Sequence, residues 1–190
     1  MYTEKQIRVF EAVLDLARQG QSLHTVKVSD IAARAGMGKG TLYEYFASRE
    51  EILVFTMLWC MDGELAAMEQ ALRPGAGFAQ DLKALQQCIL DCLQTRGNLY
   101  RLLISGVDAA LPELARTYHA QAEQQKARAQ QLKERLIEKG RAEGAICPAC
   151  SQEYCRDVID AALFGALTGP CAELPRRARH SLLMAQKALA

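Results

Sequence analysis

Four side chains that hydrogen-bond well to phosphates and base edges lie close together in the chain, at Lys39, Thr41, Tyr43 and Tyr45. The ammonium group and the hydroxyls can donate to phosphate oxygens, and a threonine methyl can also contact a thymine methyl. Glu44, between the tyrosines, could accept from a cytosine amine, although such a carboxylate more often faces water. These residue types predict a nucleic-acid-binding surface, provided that one element presents them together.

The preceding residues, from Val28 onward, predict the first half of such an element. Ile31, Ala32 and Ala35 recur at helical spacing, so one face of a short helix can be buried. Gly36 follows, where the end of a helix favours a residue that adopts a positive φ angle. A hydroxyl at Ser29 is a candidate cap for the start of this helix.

A second short helix is predicted from Lys39 to Phe46. Leu42 and Phe46 lie four residues apart and share its buried face, which leaves the polar residues to point outward. Tyr43 can instead pack partly inside a small three-helix unit. Two short helices joined by a glycine turn form a helix-turn-helix, whose second helix enters the major groove of DNA.

Three stretches make this interpretation more specific: IAARAG at 31–36, KGTLYEYF at 39–46 and SREEIL at 48–53. Together they resemble the N-terminal DNA-binding domain of the TetR family of transcriptional regulators, from about Gln6 to Leu53. The resemblance implies an all-α fold, with a helix-turn-helix DNA-binding domain at 1–47 and a helical ligand-binding and dimerisation domain at 48–190. Beyond Leu53 it is a resemblance of layout only.

The chain departs from the family pattern at three positions. Lys27 stands where members often carry a hydroxyl residue, and Met37 and Gly38 stand where a small apolar residue and a serine are usual. One hydroxyl that could reach DNA is therefore absent, and no operator sequence can be carried over. Members of the family touch DNA at the positions of Lys39, Tyr43, Tyr45 and Arg49. The expected DNA contacts are Lys27, Gly38, Lys39, Gly40, Thr41, Tyr43, Tyr45 and Arg49.

Apolar periodicity predicts helices along the rest of the chain, so the fold class is all-α. Ser48 and Glu51 fit a capping box at the start of one of them, and Pro74 with its neighbouring glycines marks the clearest break. The predicted helices outside the motif are Thr3–Gln19, Ser48–Leu72, Phe78 to about Gly97, Leu99–Val107, Pro112–Lys139, Asp157–Leu167 and Leu182–Leu189.

The composition does not by itself indicate a nucleic-acid binder. The 190 residues carry a formal net charge of only +1, so the DNA prediction depends on the motif. No apolar run is long enough for a membrane span, and no signal peptide opens the chain. The seven cysteines are an odd number, scattered through helical sequence, which does not resemble a disulfide framework. We expect a cytoplasmic protein with reduced thiols.

The resemblance further implies a homodimer and a small-molecule effector. In the family the last two long helices pair with those of a second subunit, and a two-fold dimer would bind an approximately palindromic operator. The expected function is a repressor released by an unidentified ligand, with no cofactor. The residues that could line the ligand pocket are Met57, Trp59, Met61, Cys88, Tyr100, Tyr118, His119 and Phe164. For each of them, ordinary packing in the core is at least as good an explanation.

Two alternatives stay open at this stage. Cys147, Cys150 and Cys155 could bind a metal or respond to oxidation in a regulator of the same architecture, although no nearby histidine completes a zinc site. A helical enzyme or adaptor without a DNA role is the other. No nucleophile–base, paired-carboxylate or phosphate-cradling arrangement supports catalysis, so we expect no enzyme.

Overall fold

A computed structural model describes residues 2–23, 25–73, 75–106, 118–165 and 173–190, with side chains omitted for 93–106. Every regular element in these ranges is a helix, which confirms the all-α prediction, and none of these helices is both long and apolar enough to cross a bilayer. The helices are α1 (Glu4–Arg18), α2 (Val28–Arg34), α3 (Lys39–Tyr43), α4 (Arg49–Ala71), α5 (Phe78–Gly106), α6 (His119–Ala142), α7 (Gln152–Phe164) and α8 (Leu174–Leu189).

The chain divides into two compact units. The N-terminal unit comprises Met1–Gly63 and Thr95–Gln124, and the C-terminal unit comprises Glu64–Gln94 and Gln125–Ala190. This division reflects compactness alone. The functional boundary between residues 47 and 48 stays a prediction.

Helix α1 supports the core of the N-terminal unit and starts as its sequence predicts. The Thr3 hydroxyl accepts from the Gln6 backbone N–H at 3.3 Å, and the Gln6 side chain accepts from the Thr3 backbone N–H at 3.0 Å. This capping box satisfies two backbone donors that would otherwise lack partners. Phe10 and Val13 are fully buried and turn one face of α1 toward α2 and α3.

Gly36 forms the turn of the helix-turn-helix with φ +66°, as predicted. The Met37 backbone N–H reaches the Ala32 carbonyl at 2.9 Å and closes the end of α2. Arg8 of α1 donates from Nη2 to the Ala35 carbonyl at 2.8 Å, which fixes the turn against α1. The turn therefore depends both on a local glycine and on a contact 27 residues away.

Several predicted helix bounds and one predicted cap are wrong. Helix α5 continues through Gly97 instead of ending there, because one glycine costs a helix only about 1 kcal/mol relative to alanine. Helix α8 starts at Leu174, eight residues before the predicted Leu182, with Pro175 in its first turn, where proline is tolerated. Ser29 does not cap α2, since the Asp30 carboxylate accepts from the Lys27 backbone N–H at 3.3 Å instead. Residues 107, 112–117 and 166–167 of three predicted helices lie outside the described residues.

The C-terminal unit packs a second apolar core around α5, α6 and α7. Phe78, Leu82, Leu136 and Ile159 are almost fully buried there. Gly140 permits close packing, because a Cβ atom at this position would lie 2.7 Å from the Ile146 side chain. This core fixes α5 against the helices that follow it in the chain.

We predict opposite stability effects for alanine at two glycines. Gly36→Ala should lower the free energy of unfolding by about 1–2 kcal/mol, because alanine is strained at a positive φ. Gly63→Ala should raise it by about 0.5–1 kcal/mol, because this glycine lies inside α4 with open space around it. Urea unfolding of both variants measures the difference. Equal effects would contradict the conformational role of Gly36.

Candidate nucleic-acid interface

Two buried side chains hold α3 in place. Leu42 is fully buried and Phe46 is 1% exposed, and the Phe46 ring lies 5.9 Å from that of Phe10. Helix α3 ends at Tyr43, earlier than predicted, and the chain continues as a turn that still buries Phe46. Burial of one face leaves the opposite face of α3 to solvent.

The exposed face of α3 carries Lys39 and Tyr43 side by side. The Tyr43 side chain is 48% exposed, so it is not part of the core. The Lys39 ammonium lies 5.9 Å from the centroid of the Tyr43 ring, within the range of a cation–π contact. A cation and a phenol hydroxyl presented together can donate to neighbouring phosphate oxygens.

Tyr45 lies half-buried beside α1. Its ring packs against the N-terminal core, and the Lys5 ammonium lies 5.7 Å from the ring centroid. Sequence reasoning missed Lys5, because nothing in the spacing of α1 indicates that its first turn lies near Tyr45. The fold therefore adds a third cation, besides Lys27 and Lys39, to the motif surface.

The other expected contact residues of the motif also reach the surface. Lys27, Gly38 and Gly40 are exposed, and Thr41 is half-buried. Gly38 has φ −69°, and a Cβ atom at Gly40 would meet nothing within 4 Å, so neither glycine is required by the fold itself. Glycines of this kind allow a partner to approach the backbone closely.

Arg49, another expected contact, forms an ion pair and a hydrogen bond within the protein. Its Nη2 lies 2.6 Å from a Glu50 carboxylate oxygen, and its Nη1 donates to the Leu23 carbonyl at 3.3 Å. Burial acts to raise the pKa of Glu50, but hydrogen bonds from its own backbone N–H and from Arg49 hold that pKa below its usual range. In this structure Arg49 connects the start of α4 to the loop after α1.

Glu51 connects the start of α4 to two other segments of the N-terminal unit. The Ser48 hydroxyl accepts from the Glu51 backbone N–H at 3.0 Å, as a capping residue does. The Glu51 carboxylate accepts from the Ala47 backbone N–H and from the Tyr118 hydroxyl. The Tyr118 ring packs against Phe55 with centroids 4.6 Å apart, and burial together with the Glu51 contact raises the pKa of Tyr118.

The predicted pocket residues lie in different environments in the structure. Met57, Trp59 and Tyr118 pack against the N-terminal core, where the Trp59 ring lies 5.7 Å from that of Phe10. Met61 and Phe164 are 39% and 49% exposed, Cys88 is half-buried and His119 is exposed, while the Tyr100 side chain is outside the described residues. A pocket formed by these residues stays a prediction.

The cysteine alternative is not supported. Cys155 is fully buried, and burial raises the pKa of its thiol, which makes it a poor nucleophile. Cys147 and Cys150 are half-buried free thiols. Within the described ranges no three histidine, cysteine or acidic side chains are grouped as metal ligands would be, and Cys171 lies outside those ranges.

A family model described as "Bacterial regulatory proteins, tetR family" matches residues 19–54. The match begins after α1, covers α2 and α3 and ends in the first turns of α4. It therefore covers almost all of the surface described above.

Other proteins match longer stretches of the chain than the family model does. The chain is 28% identical over 92 residues to the HTH-type transcriptional activator FasR of Mycolicibacterium smegmatis. The matched stretch spans 48% of this chain and 42% of FasR. The chain therefore covers less than half of the length of this relative. Among solved structures, the superantigen PfiT is similar with a TM-score of 0.73 at 20% identity over 95% of each chain. The fatty acid degradation regulator FadR from Bacillus halodurans has a TM-score of 0.66 at 19% identity over 96% of each chain. At such identities the two structures show a shared fold.

We predict that Lys39→Ala weakens binding to duplex DNA and lowers the slope of log affinity against log salt by about one unit, because one phosphate contact is lost. Fluorescence anisotropy across a salt series measures both quantities. Lys83→Ala is the control, since Lys83 is also an exposed lysine and lies on α5 in the other unit. If Lys39→Ala and Lys83→Ala give the same slope, Lys39 does not contact phosphate.

Proposed function

The chain belongs to the TetR family of bacterial regulatory proteins, and we propose that it is a sequence-specific DNA-binding regulator of transcription. The observation that supports this proposal is that α3 is buried on one side and exposed on the other. Leu42 and Phe46 are buried on one side, while Lys39 and Tyr43 are exposed on the other. Such a helix is held rigidly by the core and presents donors to a major groove.

A two-fold dimer is part of this proposal. Helices α7 and α8 pack against each other and enclose a mainly apolar groove of about 490 Å³. Large apolar side chains lie exposed on the same helices, with Phe164 49%, Leu183 50% and Met184 70% exposed. Apolar surface of this kind marks an interface, and a second copy would place a second α3 on the other half of a palindromic site.

We further propose that a small molecule bound in the helical domain at residues 48–190 releases the dimer from DNA. The ligand must bind the DNA-incompetent arrangement more tightly than the DNA-bound one, since equal affinity would shift nothing. Repression needs only occupancy of a promoter, whereas activation needs a further productive contact with the polymerase. The relative FasR is named an activator, so transcription in vitro from a promoter that carries the selected site decides between the two.

The contact between Tyr118 and Glu51 is the route that we propose between the segment before α6 and the DNA-binding helices. Glu51 lies in the first turn of α4, shortly after α3 in the chain. Its carboxylate accepts hydrogen bonds from the Ala47 backbone N–H and from the Tyr118 hydroxyl. Loss of the Tyr118 hydroxyl would leave the Ala47 bond intact and remove the hydrogen bond between Glu51 and residue 118. The expected consequence is a looser placement of α3.

We predict that Tyr118→Phe lowers DNA affinity up to about tenfold, because the ring still packs on Phe55 while one charge-assisted hydrogen bond is lost. Tyr154→Phe is the control for loss of a tyrosine hydroxyl in the other unit, and because that hydroxyl donates to the Ala188 carbonyl at 3.2 Å between α7 and α8, its dimer dissociation constant is measured beside its DNA affinity. Anisotropy titrations compare the two variants, and circular dichroism checks the fold. An unchanged affinity for a folded Tyr118→Phe variant would contradict the proposed route.

Selection of bound duplexes from a random pool tests the proposed function itself. The recovered sequences should converge on an approximately inverted repeat whose half-sites lie about one helical turn apart, because two copies of α3 read successive major grooves. A variant with Lys39→Ala and Tyr43→Phe should recover it poorly. A pool that shows no enrichment after repeated rounds would refute sequence-specific binding.

A further inference from the structure

A buried glutamine joins three helices of the C-terminal unit at one point. Gln86 of α5 is 3% exposed, and its Nε2 lies 2.7 Å from the Ala162 carbonyl of α7. The same nitrogen lies 3.0 Å from the Ala178 carbonyl and 2.9 Å from the Ser181 hydroxyl, both on α8. The Ser181 hydroxyl lies 2.9 Å and 3.0 Å from these two carbonyl oxygens.

The donors and acceptors of this cluster balance. The Gln86 amide group has two hydrogens and the Ser181 hydroxyl has one. One amide hydrogen can bond to the Ala162 carbonyl, the other to the Ser181 oxygen, and the hydroxyl hydrogen to the Ala178 carbonyl. This assignment gives each of the three hydrogens its own acceptor, so the cluster is satisfied only when all three helices stand in the observed register.

The groove between α7 and α8 is lined in part by small residues, and the Tyr154 hydroxyl of α7 also donates to the Ala188 carbonyl of α8 at 3.2 Å. Small residues line the groove along both helices, at Ala161 and Gly165 of α7 and at Ala185 and Ala188 of α8. Short side chains let two helices approach closely but interlock weakly, so sliding along the axis meets little steric resistance.

A slide of α8 would break the polar cluster. A shift of one turn, about four residues, would bring Arg177 or Ala185 to the position of Ser181. Neither residue offers an oxygen to Gln86, and a buried donor without a partner is costly. The hydrogen bonds of Gln86 therefore favour the observed register from a buried position, in addition to the exposed hydrogen bond between Tyr154 and Ala188.

We propose that Gln86 is a positioning residue that fixes the register of α8 on α7 and thereby the shape of the surface that a second copy of the chain binds. The inference rests on the proposed dimer. The residue that would control the shape of the dimer surface thus belongs to α5 and forms hydrogen bonds to both α7 and α8. A single buried polar residue fixes register in a comparable way in coiled coils.

Gln86→Leu tests this role, because leucine has a similar size and can bond to nothing. The dimer dissociation constant, measured by analytical ultracentrifugation of the full chain, should rise at least about tenfold, in line with the loss of a buried hydrogen bond. Urea unfolding at a concentration where both proteins are monomeric should show a loss of only about 1 kcal/mol, because leucine fills a similar volume and the Ser181 hydroxyl keeps a carbonyl acceptor. A residue that only supports the fold would lose stability and dimer affinity together.

Gln87→Leu is the matched control. Gln87 neighbours Gln86 on α5, is exposed and donates only to Asp91 at 2.7 Å, so the same substitution there should leave the dissociation constant unchanged. Ser181→Ala keeps the helix and removes one member of the cluster, so it should weaken the dimer in the same direction. The double variant Gln86→Leu/Ser181→Ala should lose less than the product of the two single effects, because both act on one network.

Each outcome decides a separate point. A wild-type chain that stays monomeric at every concentration refutes the proposed dimer and the role of Gln86 with it. A wild-type dimer whose dissociation constant is unchanged in Gln86→Leu refutes the role of Gln86 alone. If Gln86→Leu does not fold, Ser181→Ala decides, and an unchanged dissociation constant in that folded variant overturns the proposal.

Discussion

The burial of Leu42 and Phe46 is the constraint on which the candidate interface depends. A helix of five residues has almost no stability in water, because forming its first turn costs more than its few hydrogen bonds return. Helix α3 exists because Leu42 is fully buried and because Phe46 stacks near Phe10 of α1. The same burial determines which side chains of α3 remain outside, so the core of the N-terminal unit selects the groups that can meet DNA.

Local signals in the sequence predicted this part of the molecule well. The start of α1, the positive φ of Gly36 and the buried face of α3 each follow from residues within a few positions of one another. Such features are encoded by backbone propensity and helical spacing, and a short stretch is enough to recognise them. Their agreement with one another is itself a sign of a sequence that specifies one local structure.

The polar contacts made through tertiary packing could not be predicted from local sequence in this way. Tyr118 reaches Glu51 across 67 positions, and Gln86 reaches Ser181 across 95. Arg49, expected to contact DNA, also binds Glu50 and the carbonyl of Leu23 within the protein. Each of these polar groups had several possible partners in the sequence, and only the packing of the apolar cores decides which one lies within hydrogen-bond distance.

A near-neutral charge makes dimerisation important for a protein of this kind. With a formal net charge of +1, the chain has little long-range attraction for DNA, so affinity must come from a few local contacts around α3. Joining two such surfaces converts the second contact into an intramolecular event and raises affinity without any new group on either surface. It does so only if the spacing of the two surfaces matches the DNA. In the proposed dimer, a register error between α7 and α8 would therefore weaken DNA binding even though it touches none of the residues expected to contact DNA.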